Sequence, residues 1–248
     1  QIIVYKQTDS TNLQGKKMAA TGAANGTVIL AEEQTQGRGR LGRSFFSPAQ
    51  TGIYMSIILK PQKSVKDFLL ITVAAAVGVC RAVKKLTKKE AQIKWVNDIF
   101  LDQKKICGIL TEAVSNFENG MVESVILGIG MNIKTGSNEF PEELREIAGS
   151  LFPEGVTRNQ IAAEIINEIM YLSEHLGDSN LIEEYKAYSF ILGKEIQYYK
   201  DGILYTAKAR DINLQGNLVV EDEDGRISVI QSGEVTIGSK NISETIEK

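Results

Sequence analysis

Histidine and cysteine are nearly missing from this chain, and their scarcity removes several kinds of chemistry. Of 248 residues one is histidine, His175, and two are cysteines, Cys80 and Cys107. A histidine-rich metal site is excluded. A Ser-His-Asp triad would rest on His175 alone, which falls at the end of a predicted helix, where a cation suits the dipole. Two cysteines cannot build a disulfide framework, and their spacing is not that of metal ligands. They read as small buried hydrophobes, and a reducing compartment, the cytoplasm, is expected. A long apolar run is also lacking. The stretch Phe68 to Cys80 stops at Arg81, too short to span a bilayer, and reads as a core helix. Gln1 to Gln7 has no apolar segment of the signal-peptide kind. Because Gln1 is not a methionine, the gene product is expected to start upstream. Nor is there a surplus of positive charge: 28 Lys and Arg face 31 Asp and Glu, net −3, so no nucleic-acid partner is expected.

What the chain has is length for a proper core, an ordinary hydrophobic share of 43%, and one unusual loop. Gly37-Arg38-Gly39-Arg40-Leu41-Gly42-Arg43 places three guanidinium groups and three glycines in seven residues. Strand-like runs flank it, Val28-Ile29-Leu30 before and Gly52 to Leu59 after. Glycine lets backbone N–H groups approach a ligand, and arginine grips planar oxyanions through two parallel hydrogen bonds. Such a loop suits a phosphate or carboxylate. Arg/Gly runs also serve as solvated or nucleic-acid-contacting segments, and the loop alone leaves both readings open.

The pattern predicts an α+β chain, with no internal repeat. A strand and a polar turn over 1–12 lead into a short helix from about Asn12 to Ala20, capped by Ser10 or Thr11. Strands are expected near 27–34 and 52–60. Asp67 is a candidate cap for a helix reaching about Leu86, with Leu70, Val73, Ala74 and Val77 on its buried face. A meander follows, with strands at 93–95, 99–101, 106–114 and 122–130 and a turn over 116–120. Thr157 to Gln160 has capping-box form and opens a helix with Ile161, Ile165, Ile169, Leu172 and Leu176 on one face and Gly177 as terminator. A further helix runs from Asn180 to about Phe190. Past Gly193, Asp201-Gly202, Gln215-Gly216 and Asp224-Gly225 read as hairpin turns of a small all-β barrel. The expected division is 1–191 for a catalytic domain and 192–248 for the barrel.

Four more segments carry polar or small residues at strand and helix ends. Ser10-Thr11-Asn12 offers hydroxyls and an amide at a helix start, which simple capping also explains. Gln34 ends the strand that enters the arginine loop, so its amide can orient a polar ligand. Lys94-Trp95-Val96-Asn97-Asp98 leads by a hairpin to Lys105-Ile106-Cys107-Gly108-Ile109-Leu110. Lys105 there is either a solvated hairpin residue or a charge aimed into a pocket. Gly128-Ile129-Gly130-Met131-Asn132 puts two glycines at a strand end, leaving room for a flat ligand.

Taken in this order, the segments resemble the biotin protein ligases, from about Ser10 through Phe140-Pro141 and more loosely to the end of the chain. Residues 37–43 match the family's signature loop in full. Residues 94–98 match its next motif except at Val96, where the family usually has proline, a departure that bears on backbone stiffness before Asn97. The resemblance implies a mixed sheet with flanking helices, related to class II aminoacyl-tRNA synthetase cores, and an SH3-like C-terminal β-barrel. It is closest to the short type that lacks an N-terminal helix-turn-helix repressor domain.

The implied reaction has two steps. Biotin and ATP form biotinyl-5′-AMP and pyrophosphate, and a lysine of a biotin carboxyl carrier domain then takes the biotinyl group. The resemblance gives Arg38, Arg40 and Lys105 the catalytic roles. It gives biotin Ser10, Thr11, Asn12, Gln34, Gly37, Arg38, Gly39, Arg40 and Lys105, with Gly108, Leu110, Gly128 and Gly130 as an apolar slot. Arg40, Arg43, Phe45, Asn97 and Asn132 fall to ATP, with Phe45 stacking on adenine where the family often has tryptophan. Mg²⁺ is expected with ATP, held mostly by phosphates and water, with Asp98 in support and no residue as a direct metal ligand. The loop is expected to be mobile until ligand orders it. Two rivals stay open: a lipoate or octanoate ligase on the same scaffold, and a biotin-sensing regulator. A homodimer through an exposed sheet edge also stays open.

Overall fold

The computed structural model describes residues 1–60, 68–115 and 122–238. Three long strands, β2 (Thr27–Ala31), β3 (Gly52–Leu59) and β7 (Val122–Asn132), lie side by side and antiparallel. Their side chains alternate, sending Val28, Ile57 and Leu127 to one face and Ile29, Ile58 and Ile126 to the other. Both faces are covered, which explains why these strands read as continuous apolar runs. Helices α2 (Phe68–Thr87), α3 (Arg158–Glu174) and α4 (Ser179–Tyr188) pack on the first face, and α1 (Thr11–Ala20) on the second. The sheet continues through β6 (Lys104–Ser115), β5 (Asp98–Leu101) and β4 (Gln92–Lys94), all antiparallel. At the other edge β1 (Ile2–Tyr5) runs parallel to β2, a pairing that needs a crossover, which α1 supplies. The order is β1-β2-β3-β7-β6-β5-β4, a mixed sheet with flanking helices as expected.

Helix ends follow local chemistry, with two corrections. Thr157 and Gln160 form the capping box of α3, Thr157 N donating to Gln160 Oε1 at 2.9 Å. Gly177 does not terminate that helix. The helix stops at Glu174 with His175 as its cap, and Gly177 is not among the glycines in the left-handed region. Helix α4 starts one residue earlier than expected, because the Asp178 carboxylate accepts from Asn180 N at 2.9 Å. Asp67 as a cap and the turn over 116–120 lie outside the described residues.

The C-terminal strands are β8 (Glu195–Lys200), β9 (Ile203–Ile212), β10 (Leu218–Glu221), β11 (Ile227–Ile230) and β12 (Val235–Ile237). They form an antiparallel sheet in the order β11-β10-β9-β8-β12. Asp201 and Gly202 both have positive φ, 52° and 77°, as the tight turn between β8 and β9 requires. Among the described residues β11 and β12 do not pair, so this is an open five-stranded sheet and not a closed barrel. Its buried side chains, Ile196, Ala207, Ala209, Leu218 and Val220, share one apolar core with α2. The indole of Trp95 adds a polar tie, donating to the Gly216 carbonyl at 3.0 Å.

Candidate active site

Strand register sets the floor of the site. Across β3, β7 and β6, Ser56, Gly128 and Leu110 form one row, and Tyr54, Gly130 and Gly108 the next. These rows lie on the α1 face, beyond the row of Ile58 and Ile126 that α1 covers. The glycines do not simply clear space for a ligand, as the sequence suggested. A Cβ at Gly128 would fall 2.1 Å from Asn12 Oδ1, and one at Gly130 would fall 2.6 Å from Phe45 Cε1. At Gly108 the nearest atom, Lys105 Cε, would be at an ordinary 3.4 Å. Gly128 and Gly130 therefore admit the Asn12 amide and the Phe45 ring, which become walls of the site. Phe45 also meets Tyr54 edge to face, with ring centroids 6.5 Å apart.

The start of α1 closes one end. Ser10 is its N-cap, but its side chain makes no capping bond. Asp9 braces the turn before it, accepting from Ser10 N at 2.6 Å and from Gln14 Nε2 at 2.7 Å. Burial pushes the Asp9 carboxyl up, but these bonds, one from Thr8 and the charge of Lys17 outweigh it and hold the pKa at about 2. Gln34 bridges to the loop: Oε1 accepts from Thr11 N at 2.9 Å, and Nε2 donates to Ser47 Oγ at 2.9 Å.

The arginine loop folds as a small hairpin. Gly39 N donates to Arg43 O at 2.7 Å, Phe45 N to Gly37 O at 2.9 Å, and Leu41 and Gly42 take positive φ at the tip. Arg40 reaches Asn97 Oδ1 at 2.8 Å and the Gly233 carbonyl at 3.2 Å, and Arg43 pairs with Glu234 at 2.7 Å. Two of the three guanidinium groups are thus held against the loop before β12. Among the described residues Arg38 makes no ion pair, which leaves its charge available to an anion.

Lys105 faces the site because β6 bulges. Ile99 pairs with Cys107 but Phe100 with Lys105, so Ile106 is an extra residue. The bulge brings Lys105 onto the face of Gly108, where Nζ lies 3.6 Å from a Cβ built on that glycine. Nζ pairs with Asp98 Oδ1 at 2.7 Å, so the lysine charge holds this carboxylate oxygen. Lys94 stands beside this pair, its Nζ 5.9 Å from the Phe100 ring centre. Burial lowers the Lys94 pKa, with Asp98 opposing that shift and Lys105 adding to it.

These groups line one open cavity of about 1120 Å³. It contains Ser10, Thr11, Asn12, Gln34, Arg38, Gly39, Arg40, Arg43, Phe45, Asn97, Lys105, Gly108, Leu110, Gly128 and Gly130. Two nominated residues are absent from the lining. Gly37 is packed at the loop base, where a Cβ would fall 2.3 Å from Phe45 O, and Asn132 is buried with Nδ2 donating to Gly149 O at 3.1 Å. The structure adds Lys94, Lys104, Glu146, Ile147 and the 233–237 segment, none nominated from sequence. Lys94 stood within a quoted motif, but Glu234 is 191 positions from Arg43 and carries no local signal. Six cations (Arg38, Arg40, Arg43, Lys94, Lys104, Lys105) face three carboxylates (Asp98, Glu146, Glu234) around the cavity, so it suits an anionic ligand. Among the described residues no cluster of three or more metal-ligating side chains occurs. No helix among them is long and apolar enough to cross a membrane.

Comparison with known proteins gives a consistent result. Residues 4–132 match the model of the biotin/lipoate A/B protein ligase family, and residues 191–238 match the biotin protein ligase C terminal domain. The chain is 32% identical over 247 residues to a bifunctional ligase/repressor BirA of Bacillus spizizenii, covering 96% of this chain and 74% of the relative. It is 32% identical over 246 residues to a biotin–[acetyl-CoA-carboxylase] ligase of Mycobacterium tuberculosis, covering 95% and 88%. The solved biotin protein ligase of Aquifex aeolicus in complex with biotin and ATP superposes with a TM-score of 0.81 at 27% identity, covering 97% of this chain and 99% of that one.

Proposed function

The chain belongs to the biotin/lipoate A/B protein ligase family, and from that premise we propose how its cavity serves an ATP-dependent biotin ligase. Its small-molecule partners are biotin and ATP. The observation that carries the residue-level reading is a cavity with two unlike ends. One end is closed and polar, built by Thr11, Asn12 and Gln34, while the other gathers the loop arginines and Lys105.

The biotin ring occupies the closed end, against Ser10, Thr11, Asn12 and Gln34, with its chain along Gly108, Leu110, Gly128 and Gly130. Its carboxylate reaches Arg38 and Lys105, and the ATP phosphates meet Arg40 and Arg43. A carboxylate oxygen attacks the α-phosphorus, the bond to the bridging oxygen breaks, and pyrophosphate leaves with that electron pair. The nucleophile is already ionised, so no general base is needed. The barrier lies in bringing anions together and in the charge on the transferring phosphoryl group, which fixed cations offset. In the second step an amine of a carboxylase carrier domain attacks the acyl carbon, AMP departs and the amine loses a proton.

Phe45, Asn97 and Asn132 serve the nucleotide: Phe45 and Asn97 line the cavity, and Asn132 holds the 149–151 segment. Mg²⁺ fits as a companion of the nucleotide. Asp98, already paired with Lys105 at 2.7 Å, would support it through its bound water, and the cation would neutralise phosphate charge. The protein acts in the cytoplasm, and the division into modules falls between residues 191 and 192. The test is chromatographic detection of biotinyl-5′-AMP after mixing protein, biotin and ATP. Adduct with biotin is expected. Adduct with lipoate or octanoate instead would overturn the substrate assignment.

A further inference from the structure

A chain of hydrogen bonds runs beneath the slot, and it begins at a carboxylate outside the cavity lining. Glu112, on β6 opposite Ile126, accepts from Lys16 Nζ at 2.6 Å and from Asn12 Nδ2 at 2.9 Å. Asn12 Nδ2 also faces the Leu110 carbonyl at 3.4 Å, so the amide nitrogen is turned to acceptors. Asn12 Oδ1 then accepts from Ser56 Oγ at 2.6 Å and lies over Gly128. Ser56 Oγ is 2.8 Å from Thr11 Oγ1, which is 3.1 Å from Gln34 Oε1.

An ionised carboxylate has no proton to give, so it decides which way Asn12 faces. A flipped amide would set its oxygen against Glu112. Burial pushes the Glu112 carboxyl up, but the bonds from Lys16 and Asn12 and the charges of Lys16 and Arg38 outweigh that and hold its pKa below the ordinary value. With Asn12 fixed, the Asn12–Ser56, Ser56–Thr11 and Thr11–Gln34 contacts share only the two hydroxyl protons of Ser56 and Thr11. The closed end of the cavity is therefore rich in lone pairs and short of donors.

We propose that Glu112 is a positioning residue: clamped by Lys16, it locks the Asn12 amide with its oxygen toward the slot and so matches the closed end to a ring that donates N–H bonds. The cyclic urea of biotin is such a ring, and in that respect the inference rests on the reading under Proposed function. Calorimetric titration of biotin into the full chain, with thermal melts alongside, tests it in wild type, Glu112→Gln, Asn12→Ala and the double variant. Glu112→Gln should weaken biotin about tenfold, the scale of one lost charge-assisted bond. The KM for ATP should stay within about twofold, since Arg40 and Arg43, which meet the phosphates, are untouched. In the Asn12→Ala background the same substitution should cost nothing further, because its route to the ligand is gone. Unchanged biotin affinity in Glu112→Gln, or an equal loss in both backgrounds, would overturn the inference while leaving the ligase reading intact. Wild type that binds no biotin would instead sink the ligase reading and this inference with it. Should Glu112→Gln not fold, Lys16→Met must weaken biotin in the same direction, and unaltered affinity there counts against the clamp.

Discussion

Replacing Gly128 by alanine should damage the protein far more than the same change at Gly108, although both residues line the slot. The added methyl at 128 would fall 2.1 Å from Asn12 Oδ1 and 2.9 Å from its Cγ, closer than atoms can come. Asn12 cannot swing aside freely, because it holds Ser56 at 2.6 Å and Glu112 at 2.9 Å. Displacing it breaks a neutral bond of about 1 kcal/mol and a charge-assisted one of about 2 kcal/mol, for a total near 3 kcal/mol. For a chain of this length that lowers Tm by roughly 6–12 °C. Biotin affinity should fall by about a hundredfold, since wall and network move together. At Gly108 the new methyl meets Lys105 Cε at 3.4 Å and Phe45 at 3.5 Å, ordinary contacts, so Tm should hold within roughly 2 °C. Differential scanning fluorimetry and biotin titration on the two variants decide it. Equal loss of Tm at 108 and 128 would refute the claim that Gly128 exists to admit Asn12.

Other expectations follow from single contacts. Glu234→Ala frees Arg43, and because that pair is exposed the stability cost should stay under about 1 kcal/mol; the effect should appear in the KM for ATP, read by adenylation kinetics. Trp95→Phe leaves the Gly216 carbonyl without its indole donor, a cost of about 1–2 kcal/mol readable as a lower urea midpoint. Asp9, with its pKa held at about 2 against an ordinary 3.8, stabilises the fold above pH 4 and loses that contribution as pH falls through this window. Asp9→Asn should therefore melt lower than wild type at pH 6, by an amount worth about 1 kcal/mol after solvent screening, and the two should converge only below about pH 2.

Much of the fold was legible because side-chain period and cap chemistry are local. The alternating runs around Ile57 and Leu127 and the Thr157–Gln160 box needed no tertiary information. The open C-terminal sheet was not legible, since closure depends on whether β11 and β12 meet, and hairpin turns specify only neighbouring strands. The site divides the same way. The arginine loop and Lys105 stood out by residue type, but the bulge at Ile106 that aims Lys105 left no mark in composition. Small residues at 128 and 130 signalled a close approach, without saying that protein side chains make it. The contacts of Arg40 with Gly233 and of Arg43 with Glu234 join residues about 190 positions apart, beyond the reach of any spacing argument. Asn132 was drawn in by its motif and turned inward to Gly149.

Biotin-dependent exchange of labelled pyrophosphate into ATP, run on the purified chain with lipoate and octanoate as controls, separates a biotin ligase from its rivals. Exchange is expected with biotin alone, as is its loss by several orders of magnitude in Lys105→Ala, where a charge facing the transferring phosphoryl group is removed. Exchange driven by lipoate or octanoate but not biotin, or full exchange in Lys105→Ala, would contradict this expectation.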